Sequence, residues 1–141
     1  MILILANIVW IIYALIEGFR EGFYWHFKST SKQVYEFEIH PIFAAQRGIV
    51  LLLILGCLLF MVSPVNACLN LLSNALIFSF FHNGTYYLTR NKLDPKVYPS
   101  GWVSQSTTST AKLTKVFTYR NRTICAVVGV IITIVGLILI K

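Results

Sequence analysis

Glu17 and Glu21 stand four residues apart in an otherwise apolar run, with Arg20 beside them. On a helix, that spacing directs both carboxylates off one face. An ionised carboxylate inside an apolar helix is expensive unless it is paired. Arg47, about two turns into a second apolar segment, is the natural counter-ion. Further along, His82, Tyr86 and Arg90 recur at steps of four and share a face of a third helix.

Three readings of this set are open. Glu17, Arg20, Glu21, Arg47, His82, Tyr86 and Arg90 could form a binding site, the arginines holding an anion or a lipid headgroup. Asn66, Asn70, Ser73 and Asn74 would then line a polar route across the membrane. The same carboxylates could instead pair with Arg20 and Arg47 to tie two helices together in a subunit of a larger membrane complex. Finally, Glu17, Glu21, His26, His40 and His82 carry the mixed carboxylate and imidazole donors that zinc or iron takes. A divalent metal is then the cofactor, and a membrane-embedded metal-dependent enzyme is the alternative function. Against that reading, no HExxH, HxxxH or ExxH spacing occurs. His26 also lies nine residues from Glu17, on the far side of an ideal helix.

The elements that must position these groups are read from apolar runs and charge. The 141 residues are 57% hydrophobic and 12% charged, with a mean hydropathy of +0.72. A soluble domain carries about 25% charged residues, so much of this chain must face lipid. Four apolar spans are expected over about 1–23, 41–62, 64–88 and 123–140, each near the 20 residues a membrane helix needs. The fold class that follows is all-α: one domain over 1–141, an integral membrane bundle of four transmembrane helices. Ser63-Pro64 suits a cap followed by a first helical residue.

Charge sets the expected orientation. Eleven of the twelve lysines and arginines fall in two polar stretches, from Arg20 to Arg47 and from Arg90 to Arg122. Cationic loops stay in the cytosol, so the loops at 24–40 and 89–122 are expected inside, with both termini on the non-cytoplasmic side. The membrane would be a plasma or inner membrane. The net charge of +7 is accounted for in this way, and the loops lack the dense basic runs of a nucleic-acid arm. The alternating segment Val34–His40 suggests a short extended piece on the bilayer surface, and a basic helix is expected from about Thr110.

Cys57, Cys68 and Cys125 all sit in apolar spans and read as small hydrophobes, without a CxxC pair. Ala126, Gly129, Thr133 and Gly136 form a small-residue stripe on the last span, where another helix can approach closely. That stripe motivates an expected homo-oligomer. Tyr98 and Trp102 are expected to touch the membrane interface.

Overall fold

A computed structural model describes residues 2–30, 40–104 and 118–139. Four helices account for most of them: α1 (Ile2–Thr30), α2 (His40–Met61), α3 (Pro64–Leu93) and α4 (Tyr119–Leu139). All four are long and apolar enough to cross a membrane. A short 3₁₀ turn, Gly101–Val103, follows α3. Both α1 and α3 run past the expected span ends, so Tyr24 to Thr30 continues a helix that the charge pattern had assigned to a loop. The alternating segment before His40 and the stretch around Thr110 lie outside the described residues.

The α2–α3 turn is built as its sequence suggests. Ser63 has an extended backbone and its hydroxyl accepts the Asn66 N–H at 3.3 Å, while Pro64 opens the helix without an N–H to satisfy.

The central element is α3, packed along both α1 and α4. Its polar stripe is the reason. Asn70 Nδ2 donates to Asn7 Oδ1 at 3.0 Å, Asn74 Nδ2 donates to Asn70 Oδ1 at 3.0 Å, and Trp10 Nε1 donates to the Asn74 carbonyl at 2.7 Å. On the other flank Ser73 Oγ donates to the Gly129 carbonyl at 2.7 Å, and Asn7 Nδ2 donates to Thr133 Oγ1 at 2.8 Å. Amides and hydroxyls left unpaired in hydrocarbon would cost free energy, so they face one another across three helices. Asn70 and Ser73 are therefore closed into interhelical bonds, Asn74 bonds to Asn70 on its own helix, and all three are buried. They do not line an open route.

The small-residue stripe of α4 is used inside the chain. A Cβ at Gly129 would meet Ile77 Cγ1 at 2.7 Å and the Ser73 carbonyl at 2.9 Å, so the helix that approaches closely is α3.

The most weakly held element is α2, which buries only Phe43 and Leu58 among its described side chains. Near the turn, Leu58 packs with Leu3 and Ala67. Towards the other end, Phe43 meets the Tyr24 ring edge-on, with centroids 6.1 Å apart. At the turn end, around Leu58, the seam with α1 opens into an apolar groove of about 280 Å³ that runs from Leu53 to Met61 along α2.

Candidate functional site

Four of the predicted side chains converge where α1, α2 and α3 meet. Arg47 reaches across from α2, its Nε donating to Glu17 Oε1 at 2.9 Å and its Nη2 to Glu21 Oε2 at 3.0 Å. One turn of α1 separates the two carboxylates, and the guanidinium fork spans that turn. Glu17 is 1% exposed and Glu21 7%. From α3, His82 Nε2 lies 2.8 Å from Glu21 Oε2 and 3.2 Å from Arg47 Nη2, so the imidazole touches both sides of the ion pair. The second ring nitrogen, Nδ1, is 3.1 Å from Asn83 Oδ1, and Asn83 Nδ2 donates to Ser79 Oγ at 3.1 Å. Phe78 closes one side: its ring stacks on His82 at 4.9 Å and lies under the Arg47 guanidinium at 5.1 Å. Glu21 also accepts from Trp25 Nε1 at 3.3 Å. Glu17 Oε2 is buried without a partner.

The remaining predicted residues go elsewhere. Arg20 donates to Gln46 Oε1 at 2.9 Å on the exposed face of α1 and lies over Phe43. Arg90, eight residues beyond His82 and so about 12 Å along the helix, pairs with Asp94 at 2.8 Å and lies over the Tyr98 ring. His26 joins that second cluster through Nδ1, 2.9 Å from Asp94. Tyr86 packs edge-on against Tyr87 and Tyr98. The arginines thus hold three different sets of partners and do not converge on one anion.

His26 is committed to Asp94, and the side chain of His40 lies outside the described residues. No group of three His, Cys, Asp or Glu side chains among the described residues is placed to hold a metal ion. Arg47 stands between the carboxylates where a cation would have to bind.

Tyr98 and Trp102 turn inward. Tyr98 is buried under Arg90, and Trp102 covers Gly84 so closely that any Cβ there would collide with its ring. The sequence carried one signal that its charged residues obscured. Gly18 and Gly22 form a small-xxx-small pair, and both face α3 at close range.

Hydrogen bonding from His26, with the Arg90 guanidinium adding to it, holds the Asp94 carboxyl below its ordinary range despite partial desolvation. A carboxyl depressed on folding contributes stability above its unfolded pKa of about 3.9 and loses it as pH falls through the folded value. Asp94 ties the end of α1 to the end of α3 through His26. Wild-type protein should therefore lose stability relative to Asp94→Asn as pH drops below about 4. Thermal unfolding across pH measures this, and parallel curves for the two proteins would remove Asp94 as the cause.

Compared with protein families, curated proteins and solved structures, this chain matches none.

Proposed function

We propose that the chain is an integral membrane protein with both termini on the non-cytoplasmic side, and that it works by binding at the seam of α1 and α2, not by catalysis. The apolar side chains exposed on every helix support the membrane reading, and the two cationic stretches of the sequence, which resist translocation, support the orientation. The observation that carries the binding reading is the way α2 is attached. It is fixed by Leu58 near the turn and by Arg47 towards its other end, and around Leu58, at the turn end of the seam, a groove stays open. Ile2, Leu5, Val9, Leu53, Cys57 and Met61 are among its lining residues, and no charged or amide side chain contributes.

Leu53, at the near end of the groove, lies six residues, or about 9 Å, from Arg47 along α2, so the ion cluster stands beyond an otherwise hydrocarbon surface. The occupant that suits it is the acyl chain of a membrane lipid. In this reading, Glu17, Glu21, Arg47 and His82 set the position of α2 and thereby the width of the groove.

The test is photocrosslinking in bilayers containing a lipid with a diazirine on its acyl chain. Adducts should concentrate on the peptides bearing Val9 and Cys57, and Cys57→Trp, which fills the groove, should remove most of them. Adducts spread evenly over the exposed faces of α2 and α4, and unchanged by Cys57→Trp, would reject the reading. Capture of a second polypeptide at Cys57 would assign the groove to a partner helix instead.

A further inference from the structure

Arg122 lies in the first turn of α4 and is 1% exposed. Its Nη2 donates to the Ser104 carbonyl at 3.1 Å, and its guanidinium lies against the rings of Tyr87 and Tyr119 at 5.3 and 5.8 Å. Among the described residues neither Nε nor Nη1 has an acceptor, and the buried Ser104 hydroxyl has no partner either. A guanidinium cannot shed its charge, and an uncompensated buried charge is strongly destabilising.

The described carboxylates are committed elsewhere. Glu17 and Glu21 face Arg47 and His82, and Asp94 faces Arg90 and His26. Aromatic faces soften the burial of a cation but supply no counter-charge. The N-terminal end of α4 adds its own partial positive charge. The region is thus a concentration of positive potential, with N–H and O–H donors that meet no acceptor among the described residues.

We propose that Arg122 and Ser104 form an oxyanion site for a phosphate group, donated by an anionic lipid headgroup or by free phosphate. Guanidinium N–H groups match phosphate oxygens in geometry and charge, and a hydroxyl beside them adds a further donor. The inference does not depend on the groove between α1 and α2.

The experiment follows thermal unfolding of the full chain in maltoside micelles, which hold no phosphate. Inorganic phosphate is added in one arm and phosphatidylglycerol in the other. The melting temperature of the wild-type protein should rise in at least one arm. A rise with phosphate alone identifies the free anion as the ligand; one with the lipid alone identifies the headgroup. Arg122→Gln should abolish the rise, whereas Arg120→Gln, which alters an exposed neighbour, should keep it. Should Arg122→Gln fail to fold, Ser104→Ala gives the answer: losing one hydrogen bond to a charged group should weaken apparent affinity about tenfold or more. No rise in either arm overturns the site, as does an equal rise in Arg122→Gln. An unchanged affinity in Ser104→Ala does the same where Arg122→Gln cannot be purified.

Discussion

Replacing Arg47 with methionine should destabilise the protein by about 3–5 kcal/mol, the range found when one partner of a buried ion pair is removed. The substitution roughly preserves side-chain length and apolar contact. What it removes is the cation that faces both Glu17 and Glu21. Glu17 is the more exposed to this loss chemically, since its other oxygen already has no partner. Arg47→Lys should fall between the two proteins, because one ammonium cannot reproduce a fork that reaches carboxylates a helical turn apart. The triple variant Glu17→Leu, Glu21→Leu, Arg47→Met removes all three charges together and should recover most of the loss, since apolar replacement of a whole buried network is often neutral. Denaturant unfolding of the four proteins measures these differences. A loss below about 1 kcal/mol for Arg47→Met, the size of an exposed pair, would mean that the cluster is solvated.

The same cluster illustrates what a sequence of this type discloses. Glu17, Glu21 and Arg47 could be matched in advance because an acidic pair inside an apolar run requires a cation, and Arg47 stood at a suitable depth in the next span. The four helices were legible for a similar reason: a hydrocarbon layer of fixed thickness demands about 20 apolar residues per crossing. Ser63 and Pro64 act locally, so their roles survive whatever the rest of the chain does.

The distribution of Arg20, Arg47 and Arg90 was not legible. Residue spacing fixes their phase on their own helices but not the rotation of one helix against another, and that rotation gives each its own partners. Arg122 was hidden among basic neighbours. By type it is indistinguishable from Arg120, yet one is buried against Tyr87 and Tyr119 and the other is exposed. The α4 stripe did announce close packing, but a stripe says only that a helix can approach. The Ser73 hydroxyl on the Gly129 carbonyl identifies α3 as that helix.

Gly18 decides how near α1 can come to α3, and Gly18→Ala should be among the most damaging single-methyl changes in the chain. The added Cβ would collide with the His82 carbonyl oxygen, lying 3.0 Å from the His82 carbonyl carbon and 3.2 Å from its Cα. These are backbone atoms inside a helix, so relief requires α1 and α3 to separate and cannot come from rotating a side chain. Overpacking of this kind typically costs about 1–3 kcal/mol, and the rigidity of the obstacle places Gly18→Ala at the upper end. Gly22→Ala should cost less, since its nearest obstacle is the Thr89 side chain, with Cβ at 2.9 Å, although the Tyr86 carbonyl at 3.1 Å limits the adjustment. Gly56→Ala is the control. Nothing lies within 4 Å of its added Cβ, so better helix propensity should make it neutral or stabilising by about 0.5–1 kcal/mol. Equal unfolding midpoints for Gly18→Ala and Gly56→Ala would refute the close approach. Separation at Gly18 should also draw His82 away from Glu21, since the clash falls on the backbone of His82 itself. The glycine thus supports the ion cluster through distance alone: without a side chain at position 18, the carboxylate one turn on comes within 2.8 Å of the imidazole.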